Sequence, residues 1–261
     1  MTQEKLISAP LIKYVLLSAV RDKIVVSLLL IITLSLSISV FLGSSATLEK
    51  DQFVSVYSAG GIRVAAVIGL ILFIVFYIRR SFESRDVDYL LSRPISRLSF
   101  VLSHAAAFIL IALVFAGLSS LAVYPFASNI DGNALPLWSL SLAVEFIIMA
   151  CAAMFFSMVI ASAAASAIVT LAFYTLARLI GQLINIAVSV KLPSGETMDI
   201  AAHLMEAISL FIPRLDLMGQ TSWLIYGADG FVGYGYVIFH GLIFSAFLIT
   251  ATVIDLLKRE F

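Results

Sequence analysis

Apolar positions in this chain fall in long unbroken runs, with neither the alternation of a half-buried strand nor the narrow stripe of a surface helix. Six runs are long enough to cross a bilayer, which takes roughly 20 residues of helix because the backbone must satisfy its own hydrogen bonds across about 30 Å of hydrocarbon. They are expected at about 24–43, 60–78, 100–124, 137–161, 165–188 and 235–256. The first begins too far from the N-terminus, and lacks a small-residue cleavage site, to read as a secretory signal, so it is taken as a retained helix. The expected fold class is an all-α integral membrane protein forming one transmembrane domain over residues 1–261.

The segments between the runs carry their own patterns. Ahead of the first run, Ser8 is placed to cap a helix entered through Pro10. Leu11, Ile12, Val15, Leu16, Ala19 and Val20 mark one face, and Lys13, Tyr14, Ser18, Arg21 and Asp22 the other, interrupted by Leu17. This basic amphipathic helix, within residues 1–23, is expected to lie on a leaflet surface; the simpler alternative is a basic leader that only sets topology. Runs four and five are joined by a tiny connection, Ser162 to Ala164, which implies a tight antiparallel hairpin whose small residues Ala161 to Ala167 permit close backbone approach. The connection from Pro125 to Pro136 is a short loop with Asn129, Asp131, Gly132 and Asn133 as turn formers. Between runs five and six, Asp199 is placed to cap a short helix with Ile200, Leu204, Met205, Ile208 and Phe211 on one face, ended by Pro213. That helix is too short to span and is expected to be interfacial or re-entrant, with Trp223, Tyr226, Tyr234 and Tyr236 as interfacial anchors.

Composition sharpens the class: 62% of residues are hydrophobic and 12% charged, and the mean hydropathy is +1.09. Sixteen basic and sixteen acidic residues cancel, so no overall field attracts nucleic acid. The single cysteine, Cys151, lies inside an apolar run and is assigned to packing. The distribution of Lys and Arg is uneven. Lys5, Lys13, Arg21, Lys23, Arg79, Arg80, Arg85, Arg93, Arg97, Lys258 and Arg259 fall on one side, against Lys50, Arg63, Lys191 and Arg214 on the other, with Arg178 inside a span. The positive-inside rule then places both termini in the cytoplasm.

A charged island from Phe82 to Arg97 stands out in so apolar a chain, with Glu83, Asp86 and Asp88 facing Arg85, Arg93 and Arg97 in number. Such a loop, at 79–99, is a candidate docking point for a soluble partner; the alternative is a solvated loop whose arginines only fix topology. Glu145 and Arg178 are ionisable residues inside spans and therefore functional suspects, since charge in hydrocarbon is costly. Both lie two to three turns from the same end of the bundle, which predicts an ion pair or shared polar network, or else a place on a substrate path. His104, His203 and His240 are read as solvated interface residues, and the His203-x-x-Glu206 spacing finds no third metal ligand, so no metal is expected. No cofactor is expected and no enzymatic signature appears.

The island's residues Phe82-Glu83, then Tyr89-Leu90-Leu91-Ser92-Arg93-Pro94-Ile95-Ser96-Arg97, resemble the loop between spans two and three of ABC type-2 (ABC-2) exporter permeases. Phe211-Ile212-Pro213-Arg214-Leu215-Asp216 and Tyr226-Gly227 are similar to the outer segment of the branch containing the nitrous-oxide-reductase maturation permease. Val87-Asp88 and Ser103-His104 depart from the family's usual Gly-Thr and Gly-Lys pairs. The resemblance implies a coupling helix seated in a cytoplasmic ABC ATPase dimer, a second permease copy in a homodimer, and a bacterial plasma (inner) membrane. On that reading Phe82, Tyr89 and Leu90 anchor the contact, Glu83, Arg85, Asp86 and Asp88 set its register, Pro94 stops the helix and Arg97 sits at the membrane surface. No Gly-x-x-x-x-Gly-Lys-Ser/Thr loop occurs in the chain, so the ATP would be hydrolysed by a separate subunit. The expected function is export of an apolar or amphipathic substrate; the alternative is a non-transporting membrane scaffold or an intramembrane enzyme with an unrecognised site.

Overall fold

A computed structural model of the chain describes residues 7–44, 50–84, 96–127, 132–189, 211–228, 230 and 232–258. The described residues are helical with no strand among them, and six helices are long and apolar enough to cross a membrane. The chain is an all-α, multi-pass membrane protein.

Helix α1 (Ala9–Arg21) is 13 residues long, about 20 Å at 1.5 Å per residue, too short to span. It buries Leu11, Val15 and Ala19, one residue per turn on a single stripe, and packs on the start of the third span. Two expectations are corrected here. Ser8 occupies the N-cap position without a side-chain cap; instead its backbone N–H donates to Ser103 Oγ at 2.8 Å, which stitches the helix start to the bundle. Val20, expected on the apolar face, is 66% exposed, because the buried stripe follows the i, i+4 row through Leu11 and leaves Val20 beside exposed Leu17.

The spans are α2 (Ile24–Ser44), α3 (Lys50–Glu83), α4 (Arg97–Val123, followed by a 3-10 turn at Tyr124–Phe126), α5 (Ala134–Val159), α6 (Ala163–Ser189) and α8 (Tyr234–Lys258). A one-turn helix, α7 (Trp223–Tyr226), and a 3-10 turn at Leu215–Leu217 lie in the segment before α8. The largest departure in boundaries is α3, which begins ten residues ahead of the expected span because Phe53 and Tyr57 stack, with ring centroids 5.6 Å apart, one turn inside its start. At 34 residues it is roughly 51 Å long, well beyond the hydrocarbon thickness. The α5–α6 hairpin is as tight as expected, turning at residues 160–162. Ser166 Oγ lies within 2.9–3.4 Å of the carbonyls of Phe156, Ile160 and Ser162, which converge on it at the turn. The Asp199-capped helix at 199–211 falls mostly outside the described residues.

Helix α5 is the centre of the bundle, packed against α3, α4, α6, α7 and α8 and buried around most of its length, from Trp138 to Met158. Helix α8 meets it along Val237, Gly241, Ser245, Leu248, Thr252 and Leu256, a row with small residues at the closest approach. A Cβ at Gly241 would lie 2.6 Å from Val144 Cγ1 and 3.3 Å from its Cγ2. His104, expected to be solvated, is buried among Phe100, Tyr77 and Phe108, and its Nδ1 pairs with the Phe100 carbonyl at 2.9 Å. Trp223, expected as an interfacial anchor, is buried against the bundle, whereas Tyr226, Tyr234 and Tyr236 are exposed.

Replacing Gly241 with leucine is expected to destabilise the bundle by about 1–3 kcal/mol through overpacking at the α5–α8 contact. Unfolding in detergent with increasing sodium dodecyl sulfate measures this, and Val144→Ala in the same chain should return part of the loss.

Candidate functional site

The ends of the helices define two faces. The α1 face carries Arg21, Lys23, Arg79, Arg80, Arg97 and Lys258. On the opposite face lie the 3-10 turn after α4, the start of α5 and the segment 211–228.

Of the coupling residues, Phe82, Glu83 and Arg97 are described; Arg85, Asp86, Asp88, Tyr89, Leu90 and Pro94 lie outside the described residues. Phe82 is half-buried, packed against the core with the Arg79 guanidinium 5.6 Å from its ring centroid, a cation–π arrangement. Glu83 is exposed at the end of α3. On the returning side Ser96 caps α4, its hydroxyl accepting from the Ser99 N–H at 3.2 Å. Arg97 donates to the Leu256 carbonyl at 3.1 Å and the Leu257 carbonyl at 3.3 Å. Those are among the last carbonyls of α8, which have no acceptor role within their own helix. Both ends of the 85–95 connection are therefore fastened to the bundle.

The second constellation lies inside it. Glu145 on α5 stands eleven residues from the start of its helix, and Arg178 on α6 eleven from the end of its own. At 1.5 Å per residue both are roughly 16 Å from the opposite face. The structure brings them together: Arg178 lies 3.6 Å from Glu145 Oε2, and the Glu145 side chain is fully buried. Tyr174, one turn from Arg178 on the same helix, donates its hydroxyl hydrogen to Glu145 Oε1 at 2.9 Å. The 3.6 Å contact is long for a hydrogen bond and acts as a charge pair.

A third member was missed. Arg63, counted among the outer loop charges, is buried within α3, thirteen residues or about 20 Å from its start. It interacts electrostatically with Glu145, Arg178 and Tyr174. Its presence was legible, because it falls inside the expected span 60–78 and an arginine there invites the same suspicion as Glu145. The cluster thus holds two guanidiniums and one carboxylate, one positive charge in excess. Backbone dipoles offset that excess. Arg63 donates to the Gly219 carbonyl, and Arg178 donates to the carbonyls of Leu215 and, at 2.9 Å, Met218.

These carbonyls belong to one turn, and the turn is shaped to present them. Gly219 has φ +56°, the left-handed region that glycine adopts without strain. A Cβ there would sit 3.2 Å from an Arg63 nitrogen and 3.7 Å from Glu145 Oε2. Arg214 and Asp216 form a two-pronged pair at 2.9 Å on each prong, and the carboxylate holds the Arg214 guanidinium above its ordinary pKa. That pair rests on α6 at Gly181, where any side chain would collide with the Asp216 carboxylate. His240 of α8, half-buried where solvation was expected, accepts the Arg214 backbone N–H on Nε2 at 3.0 Å. Residues 214–219 are in this way tied to α3, α6 and α8.

No known protein family matches the chain, and no curated protein is similar to it.

Three outcomes follow for the cluster. Glu145→Ala leaves the buried Arg63 and the part-buried Arg178 without their carboxylate and is expected to cost about 3–5 kcal/mol. A double-mutant cycle between Glu145→Gln and Arg178→Gln should show about 1–3 kcal/mol of coupling by unfolding in detergent, and additive effects would contradict the pairing. Gly219→Ala, which meets both the positive φ and the crowding by Arg63, is expected to cost about 1–2 kcal/mol by the same measurement.

Proposed function

We propose that the chain is the membrane-spanning permease subunit of an ABC exporter. In this reading a separate cytoplasmic ATPase dimer drives a pair of permease copies, which move an apolar or amphipathic substrate out of the cell or its inner leaflet. The α1 face is the cytoplasmic one in a bacterial plasma membrane, as its cationic residues favour.

The observation that carries the reading is the fastening of the 85–95 connection. A helix docked in an ATPase cleft transmits force only if its ends are rigidly attached. Here the outgoing end is α3, held by Phe82 packed against the core, and the returning end is α4, capped by Ser96 and bound to α8 through Arg97. A displacement of the loop is passed directly to three spans. The Tyr89 to Arg97 motif, with its resemblance to the coupling loop of ABC-2 permeases, agrees with that mechanical arrangement. The buried cluster then serves as the latch of the opposite face, since opening that side for release would have to separate residues 214–219 from the arginines of α3 and α6.

Purification of the chain from its native membrane in mild detergent tests the reading. The expected result is a stoichiometric partner that hydrolyses ATP. Glu83→Arg should weaken its retention about tenfold or more, in the range of an interface hot spot. Arg97→Gln should retain the ATPase yet lose the stimulation of its activity by the permease. A chain that carries no ATPase through this purification favours a scaffold or an enzyme and overturns the proposal.

A further inference from the structure

Between α2, α3 and α4 lies an apolar cleft of about 270 Å³, which runs from the start of α2 to the middle of α3 and α4. One wall is Ile24, Leu28 and Ile31 of α2, the other Ala65 and Gly69 of α3, and Phe115 of α4 closes the inner end. The two small residues on α3 create the space: a Cβ at Gly69 would find only Phe115, at 4.0 Å. From Asp22 at the mouth to Ile31 is nine residues, roughly 13 Å along the helix direction. One leaflet of hydrocarbon is about 15 Å deep, half of the bilayer's 30 Å.

The mouth differs from the walls in chemistry. Asp22 pairs with Arg80 at 3.4 Å, and exposed Arg21 and Lys23 flank the carboxylate. Among these four residues three cations stand against one acid, an excess of two positive charges. Basic pockets beside spanning helices recognise anionic headgroups for this reason. Lys23 also holds φ +55° at the α1–α2 corner, a conformation glycine would adopt at lower cost.

We propose that this cleft is a site for one anionic phospholipid of the leaflet at the α1 face, with an acyl chain between α2 and α3 ending at Phe115 and the phosphate against Arg21, Lys23 and Arg80. The site needs no ATPase and is independent of the exporter reading.

Native mass spectrometry of the full chain, released from nanodiscs of equal parts dioleoylphosphatidylglycerol and dioleoylphosphatidylcholine, tests it. The expected spectrum shows one phosphatidylglycerol retained in preference to phosphatidylcholine. Gly69→Leu, which fills the cleft, should lower that retention by about tenfold. Gly60→Leu adds the same bulk where nothing lies within 4 Å and should leave retention unchanged. Should Gly69→Leu fail to yield a monodisperse protein, Ala65→Phe fills the same cleft from the preceding turn and carries the same expectation. Lys23→Gln with Arg80→Gln should bring phosphatidylglycerol down to the phosphatidylcholine level. Equal retention of the two lipids by the unaltered chain, undiminished retention in the filled variants, or displacement of the lipid by glycerol phosphate alone would each overturn the proposal.

Discussion

Charge inside hydrocarbon has to be balanced where it lies, and the cluster of Glu145, Arg178 and Arg63 imposes that requirement on much of this molecule. One carboxylate cannot neutralise two guanidiniums, and neither arginine can reach water through the bundle without leaving Glu145 uncompensated. The structure resolves this with peptide dipoles, bringing the carbonyls of Leu215, Met218 and Gly219 down to the arginines. That solution dictates the surroundings. The turn must enter the bundle, so Gly219 takes a left-handed conformation and Gly181 leaves room for Asp216. Its far side must be held, so His240 accepts the Arg214 N–H and Arg214 grips Asp216. A segment that hydropathy alone would leave as a surface connector becomes part of the interior, and buries Leu215, Met218 and Trp223 as it does so.

Helix α3 links this constraint to the other face. Arg63 and Glu83 are twenty residues apart on one continuous helix, about 30 Å, so the buried cluster and the outgoing end of the 85–95 connection are carried by a single rod. On the exporter proposal, that rod would couple ATPase movement to release of the 214–219 turn with no relay of small shifts between them. The close α5–α8 contact at Gly241 gives α5, which carries Glu145, a fixed position against which such a movement acts.

What could be read from residues alone follows from the cost of burying charge and the length needed to span. Six spans were legible because apolar runs of that length have no other stable solution in a membrane. Glu145 and Arg178 were legible as partners because equal depth on an antiparallel hairpin follows from counting residues. Arg63 was missed because it served as a topology marker although it lay within an expected span. The carbonyl partners were not legible at all, since backbone groups leave no signature in side-chain pattern. His104 and Trp223 were misplaced for a related reason: both are amphipathic, and whether such a side chain faces lipid headgroups or a neighbouring helix depends on tertiary packing, here Phe100 and Phe108 for the histidine. The helix start at Lys50 was obscured because polar residues at the end of a span need not interrupt a helix that continues beyond the hydrocarbon.

The central claim is that residues 214–219 are an integral part of the bundle, held by Arg63 and Arg178. Amide hydrogen exchange of this segment in detergent or nanodiscs measures it most directly. The account predicts that the amides of Arg214, Leu215 and Met218, whose hydrogen bonds go to His240, Pro213 and Leu215, exchange far more slowly than an exposed loop, and that the protection falls when Arg63 and Arg178 are both replaced by glutamine. Exchange of those amides at the rate of an unstructured peptide in the unaltered protein would contradict it.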